Sequence, residues 1–343
     1  MGLAQPLRLK GAPGSPYTRK MLAYMRYRHI GYELLIGDPA TENLDLPKPK
    51  VELLPTFYLP NDSGEIEAVV DSTPLIRRFE SEFGGRECLP SNPVLGFLNY
   101  LIEDYSDEWL TKSMFHYRWY YEPDIKKAGD ILPLWRGLNM SVEQHKKISA
   151  FIADRQISRL YVVGSNDVTA PVIEASYLRF LEILGDIIAK QTFVLGSRPS
   201  SADFGIYAQL TQLAKFDPTP MALCLEKAPR VFAWTDVIDD LSGQVCEDDG
   251  WVTVDQAKEV LNPLLQEVGR TYVPALLANA KALQAGEKQM ETTIDGQPWQ
   301  QPSFPYQGRC LMWINEEYQK LSDSDRKQVD DILGGTGCEE MLK

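Results

Sequence analysis

Gly14-Ser15-Pro16-Tyr17-Thr18-Arg19-Lys20 follows a short strand-like segment, Leu7-Arg8-Leu9, and reads as the opening of a helix. Ser15 suits the cap. Pro16 suits the first turn, where its fixed φ is already helical and its missing N–H is not needed. Such an opening presents a hydroxyl and unpaired backbone N–H groups near a strand end, a place that favours an anion or a thiolate. Taken alone, the same pair of residues does nothing more than cap.

The elements that must hold this motif are legible as a small sheet with helices on its faces. Strands are expected at 6–10 and 32–36, at Leu53-Leu54-Pro55-Thr56-Phe57-Tyr58-Leu59, and at Ala68-Val69-Val70, with Asn61-Asp62-Ser63-Gly64 as a turn. Helices are expected at 15–28 and 72–83, and the polar connection 38–50 supplies any further one. Residues 84–93 are a linker by composition. Beyond them Phe97, Leu98, Leu101, Ile102, Tyr105, Trp109 and Leu110 recur at three- and four-residue steps, and helical patterns continue over 141–163, 170–191, 200–215 and 228–242. The pattern changes near residue 250. Helices are expected at 253–267, 271–284, 305–320 and 323–333, with an Asp295-Gly296 hairpin between the second and third. The predicted domains are therefore 1–84, 94–247 and an extension over 248–343.

Composition narrows the partners. A net charge of −13 argues against nucleic acid and anionic membrane as general partners, so an anionic ligand must be held by local donors. The first residues have no basic-then-apolar leader pattern, and apolar runs such as 94–102 are too short to span a bilayer; a cytoplasmic location is expected. Cys88, Cys224, Cys246, Cys310 and Cys338 are scattered and odd in number. His29, His116 and His145 are far apart, so neither a disulfide framework nor a metal site is expected.

Four stretches in order resemble the cytosolic glutathione transferase superfamily, in its serine-type branch. They are Ser15-Pro16-Tyr17-Thr18-Arg19-Lys20, Leu54-Pro55-Thr56-Phe57, Val70-Asp71-Ser72-Thr73-Pro74-Leu75-Ile76, and Gly196-Ser197-Arg198-Pro199-Ser200-Ser201-Ala202-Asp203-Phe204. The resemblance implies an α/β thioredoxin-like first domain and an all-α second domain. It covers residues 6 to about 245 and carries nothing over to the extension.

What the resemblance implies for each residue follows from the chemistry of glutathione. A free thiol has a pKa of about 8.5, so roughly 3% is thiolate at pH 7; a hydroxyl donor and a helix N-terminus favour the charged form. Ser15 would be that donor, with Tyr17 as a packing residue and reserve donor. Leu54 would offer backbone groups to the cysteinyl part before a cis Pro55. Asp71 would pair the γ-glutamyl ammonium and Ser72 its carboxylate, with Thr73 free to cap the helix; Lys50, or Lys48, would meet the glycyl carboxylate. Asp104, Asp107, His116 and Trp119 would border the pocket of the electrophile, on a segment that in the family often makes the dimer contact. Ser200 and Asp203 would form a capping box of structural value only.

The reading is a glutathione transferase that uses glutathione as co-substrate without a metal, attacks a small hydrophobic electrophile, and assembles as a homodimer. A cysteine at position 15 would be needed for a mixed disulfide, so thiol–disulfide exchange is disfavoured. The rivals are a non-catalytic glutathione-binding or scaffold protein of the same fold, and a glutathione-dependent isomerase, etherase or peroxidase. In the extension, Trp299, Phe304, Tyr306, Cys310 and Trp313 suit either a lid over the electrophile site or an added packing layer.

Overall fold

The computed structural model describes residues 3–36, 44–246 and 250–342. β1 (Leu7–Gly11), α1 (Pro16–Tyr27) and β2 (Tyr32–Ile36) form a βαβ unit in which the two strands run parallel, Leu7 opposite Tyr32. β3 (Thr56–Pro60) pairs antiparallel with β1, and β4 (Ile66–Val69) antiparallel with β3, giving the order β2-β1-β3-β4. The turn between β3 and β4 is made by Asn61, whose Oδ1 accepts the N–H groups of Ser63 and Glu65 at 3.0 Å each. Gly64 takes φ +85° there, a conformation that needs no Cβ. α2 (Ser72–Glu82) closes the domain.

Two expectations need adjustment here. The third strand begins at Thr56 rather than Leu53, because Pro55 has no N–H to donate; the Leu54–Pro55 peptide is cis. Residues 44–55 form no helix, and the rest of the polar connection, 37–43, lies outside the described residues.

The second domain starts with α3 (Pro93–Tyr105), capped by Asn92, whose Oδ1 accepts from the N–H groups of Val94 at 3.0 Å and Leu95 at 3.1 Å. A π-helical turn, Ser106–Leu110, joins α3 to α4 (Thr111–Tyr120). Then follow α5 (Glu122–Ile131), α6 (Val142–Ile157), α7 (Ala170–Lys190), α8 (Ser201–Leu213), α9 (Pro218–Lys227) and α10 (Pro229–Asp239). The helix expected over 141–163 is broken after Ile157 and continues only as a 3₁₀ turn, Leu160–Val163. All of α8 is buried, and Asp203 ties its start twice: one carboxylate oxygen accepts from the Ser200 N–H at 2.8 Å, the other from the Val194 N–H at 2.8 Å.

The extension is built into this body. Gly250 O accepts from the Ser197 N–H at 2.8 Å, and the Val252 N–H donates to Leu195 O at 2.9 Å. α11 (Val254–Glu267), a π-helical turn (Val268–Tyr272) and α12 (Val273–Gln284) lead to the hairpin β5 (Gln289–Ile294) and β6 (Gln297–Pro302), then α13 (Pro305–Gln319) and α14 (Asp323–Leu333). Asp295 (φ +53°) and Gly296 (φ +73°) make the two-residue turn with both φ angles positive that the dipeptide predicts. One continuous apolar cluster joins the three parts of the chain. Phe97 meets Tyr318 with ring centroids 5.9 Å apart, and Trp109 meets Trp299 at 5.4 Å. The extension is thus a packing layer on the helical domain, and it covers the side of the 104–121 segment that carries Asp104 and Trp109.

Candidate functional site

Ser15 stands at the N-terminus of α1, where its Oγ accepts the Thr18 N–H at 3.2 Å. The same hydroxyl donates to the carbonyl of Leu54 at 3.0 Å. Two separate sequence motifs are therefore joined by one hydrogen bond. The loop before Ser15 is clamped by the helical domain: the Arg118 guanidinium donates to Gly14 O at 3.1 Å, and the Gln212 amide to Pro13 O at 3.2 Å. Arg118 is itself fixed by three bonds to the buried Asp217 carboxylate, at 2.9–3.1 Å. Gly14 is closely packed: a Cβ there would lie 2.4 Å from a Leu132 methyl, which would have to move, and 3.1 Å from the Trp135 ring.

Asp71 precedes α2 with a backbone φ of +83°, which L-residues rarely adopt, and its carboxylate makes no bond to its own helix. That carboxylate instead accepts from the Tyr306 hydroxyl of α13 at 2.8 Å. Ser72 is buried, and its Oγ accepts from the Lys20 ammonium at 3.2 Å. Thr73 does not cap the helix; it lies in the first turn and donates to Glu103 Oε1 at 3.0 Å.

Beneath Asp71 and Ser72 lies a buried ionic network. The Lys20 ammonium is fully buried, 2.8 Å from Glu103 Oε1 and 2.5 Å from Asp107 Oδ2. Glu103 also accepts from Ser201 Oγ at 2.6 Å and from Arg77 at 3.2 Å. Burial alone would lower the Lys20 pKa, but the two carboxylates outweigh it and raise it, so Lys20 stays charged. Burial likewise works against the Glu103 carboxylate, yet Lys20 and Arg77 hold its pKa down to about 2. Asp107 has one oxygen without a partner, and its burial dominates, pushing it up to about 6. Burial also pushes Asp104 up to about 7, although the Tyr272 hydroxyl donates to it at 2.6 Å. Glu108 rises to about 8 through burial and then through the charges of Asp104 and Asp107.

The residues singled out from sequence fall into two groups. Ser15 is bonded to Leu54 ahead of Pro55, Ser72 is tied to the helix that Ser15 opens through Lys20, and Asp71 reaches across to Tyr306 of the extension. Tyr17 joins them as a packing residue, its hydroxyl donating to the Asp107 carbonyl at 2.8 Å. Lys48 and Lys50 are exposed on the loop before β3. The four residues assigned to an electrophile pocket are all buried in this structure. Asp104 and Asp107 are spent on Tyr272 and Lys20. His116 is fully buried, with its ring nitrogens 2.8 Å from Ser165 Oγ and 3.2 Å from Glu174, and is corrected to a core residue. Trp119 packs in a separate apolar cluster with Ala128 and Phe216. The aromatic and apolar groups that do approach Ser15 are Trp135 and Leu132, through Gly14.

Lys20, Glu103 and Tyr306 were not assigned to the site from the sequence. Glu103 left a signal: Asn99, Glu103 and Asp107 recur at four-residue steps along a largely apolar helix and the turn that follows it, and a polar stripe of that kind calls for a buried partner. Tyr306 left none, since its partner is 235 residues away.

A two-layer unit with a capped serine beside the residue before Pro55, joined to a helical domain through a buried helix with an Asp203 cap, defines a class. The glutathione S-transferase N-terminal domain matches residues 9–87, and the C-terminal domain of the same family matches 154–236. The chain belongs to the glutathione S-transferase superfamily, with a thioredoxin-like first domain and a helical second one; neither match extends beyond residue 236. No curated protein matches the chain. Among solved structures it is similar to a glutathione S-transferase from Methylobacterium radiotolerans in complex with glutathione sulfonate, at 15% identity over 68% of this chain and 90% of that one, TM-score 0.39. It is also similar to a Tau class glutathione S-transferase from mango, Mangifera indica, at 17% identity over 74% of this chain and 96% of that one, TM-score 0.40. A family member from Pseudomonas fluorescens with two glutathione bound is 14% identical over 69% of this chain and 95% of that one, TM-score 0.37.

Proposed function

We propose that this chain binds glutathione at the site described above and lowers its thiol pKa through Ser15, for attack on a small apolar electrophile. The observation that carries the reading is the 3.0 Å bond from Ser15 Oγ to Leu54 O. A peptide pairing with the Leu54 backbone like an added strand would bring a cysteinyl thiol beside the Ser15 hydroxyl. The cap and the activation then use different parts of one group. A lone pair of Oγ keeps the Thr18 N–H, and the O–H rotates from the Leu54 carbonyl to the sulfur. A hydrogen bond to the thiolate and the α1 N-terminus both favour the charged form, and two pKa units would make it the majority species at neutral pH. Asp71 supplies the charge for the γ-glutamyl ammonium; Ser72, with the α2 N-terminus, supplies donors for its carboxylate. Leu132 and Trp135 form the apolar wall for the electrophile, and holding both reactants together contributes further.

The test is the thiolate absorbance of bound glutathione, titrated against pH. In the wild-type protein the thiol titrates about two units below free glutathione; Ser15→Ala returns it close to 8.5 and slows conjugation at neutral pH by about 10-fold or more. Unchanged titration and turnover in Ser15→Ala would remove Ser15 from this role. A titration that is shifted in the wild type without any conjugation would favour a binding or scaffold protein over a transferase.

A further inference from the structure

We propose that the C-terminal extension completes the γ-glutamyl end of the glutathione site, with Tyr306 as a positioning residue that holds Asp71 toward the ligand's ammonium. The inference rests on the reading of the site given above and goes beyond it, because it assigns part of that site to a segment outside both family matches.

Asp71 needs such a device. Its backbone is in a conformation foreign to L-residues, and its side chain is not anchored to the helix that it precedes. A short carboxylate without an anchor samples several rotamers, and a ligand must pay for fixing it. The Tyr306 hydroxyl donates to Oδ2 at 2.8 Å, which leaves Oδ1 with its lone pairs for a second donor. The ring that carries this hydroxyl is held in turn. Phe304 and Trp313 pack on it with centroids at 6.3 and 5.8 Å, and the Arg309 guanidinium stands 5.2 Å from its centre. Asn279 locks the start of α13 by donating to Phe304 O at 3.0 Å and accepting from the Phe304 N–H at 2.7 Å. Tyr306 is therefore placed by α12 and α13 independently of the first domain. The surroundings also suit a cation. Asp107 lies within electrostatic range of Asp71, while the Lys20 ammonium is committed below them to Glu103 and Asp107.

The experiment compares two thiol-free ligands by calorimetry, S-methylglutathione and its analogue lacking the γ-glutamyl amino group, so that Ser15 plays no part. The wild-type protein is expected to prefer the amino form. Tyr306→Phe keeps the ring and its packing; it is expected to weaken S-methylglutathione by about 5- to 10-fold while leaving the desamino analogue nearly unchanged. Asp71→Asn is expected to remove the same discrimination, and adding Tyr306→Phe to it to remove no more. Equal weakening of both ligands by Tyr306→Phe would mean a structural role and overturn the proposal. So would an unchanged affinity, or a gain in affinity, which would mark the extension as an obstruction. If the wild-type protein binds neither ligand, the proposed function falls together with this inference; if it binds both and only Tyr306→Phe is silent, the inference falls alone.

Discussion

Two buried lysines sit at two seams of this molecule, and they titrate in opposite directions. Lys20 lies between the first domain and the helical domain, within 3.4 Å of four oxygens, two of them carboxylate, and its pKa is raised. Lys112 lies between the helical domain and the extension. Its ammonium reaches only the Val163 carbonyl and Gln301 Oε1, both at 3.3 Å, and stands 5.9 and 5.8 Å from the centres of the Trp109 and Trp299 rings. Burial there outweighs the distant attraction of Glu108 and brings Lys112 down to about 8. The residue type is the same, and the partners decide. The first seam is ionic and lies directly under the candidate site, where it gives Ser72 a charged neighbour. The second is aromatic around Lys112, where no carboxylate pairs with the ammonium among the described residues; the ion pairs of that seam stand apart from it, Arg179 with Glu267 at 2.7 Å and with Asp295 at 2.9 Å.

Removing Lys20 should be the more damaging change. Lys20→Met leaves Glu103 and Asp107 buried without their shared cation, a loss of about 3–5 kcal/mol for breaking a buried pair on one side. Arg77 and Ser201 still serve Glu103, so the uncompensated group is chiefly Asp107. That carboxyl escapes by taking a proton, and the penalty should therefore shrink between pH 7 and pH 5. Chemical denaturation at the two pH values measures it. A variant as stable as the wild type at pH 7 would mean that the ionic seam contributes nothing net.

The same contrast explains what was legible in the sequence. Ser15, Leu54-Pro55, Asp71-Ser72 and Ser200-Asp203 each carry a local signature, a cap or a turn, because the backbone itself demands those residue types. The sheet, helices such as 72–83, 170–191 and 200–215, and the Asp295-Gly296 hairpin followed from period and turn chemistry in the same way, whereas the short helices Glu122–Ile131 and Pro218–Lys227 did not. What escaped was pairing across long separations. Nothing near Tyr306 points to Asp71, and nothing near Lys112 points to Gln301, since hydrogen bonds between distant segments impose no spacing on either one. The burial of the residues expected at an electrophile pocket was illegible for a related reason. A stripe of Asp, His and Trp on a helix looks alike whether it faces a cavity or a core, and His116 and Trp119 face the core.

The two seams also predict the shape of stability against pH. Asp107 at about 6, Asp104 at about 7 and Glu108 at about 8 all lie above their unfolded values of about 3.9 to 4.3, so the folded chain binds more protons through that interval. Stability should fall as pH rises from about 5 to 8. Glu103, held at about 2, acts the other way, and its contribution is lost only as pH falls below about 4. Lys112 at about 8 against about 10.4 unfolded carries a penalty below pH 8 that is relieved as pH rises toward 10. Above pH 8 the buried thiols Cys88, Cys224, Cys310 and Cys338, all pushed up by burial, act against Lys112 and outnumber it, so the decline continues. Glu108→Gln should flatten the fall between pH 5 and 8, and a denaturation midpoint that rises through that interval would contradict the assignment of these groups.

Lys112→Met should be the mildest of these changes and the most informative about the second seam. The methionine keeps much of the stem that fills the space between Trp109 and Trp299, and its thioether suits contact with aromatic rings. Gln301 Oε1 keeps the Trp299 indole N–H at 3.2 Å, so it is not left bare. What is lost is two long bonds to neutral acceptors, of about 1 kcal/mol at most, set against the relief of a buried charge whose pKa had been forced down. At pH 7 the variant should lie within about 1 kcal/mol of the wild type, and its stability should fall more steeply than the wild type's above pH 8, because the relief supplied by Lys112 is gone. A loss as large as that of Lys20→Met would mean that Lys112 is itself an ionic anchor, with Glu108 as the partner, and the contrast between the two lysines would dissolve.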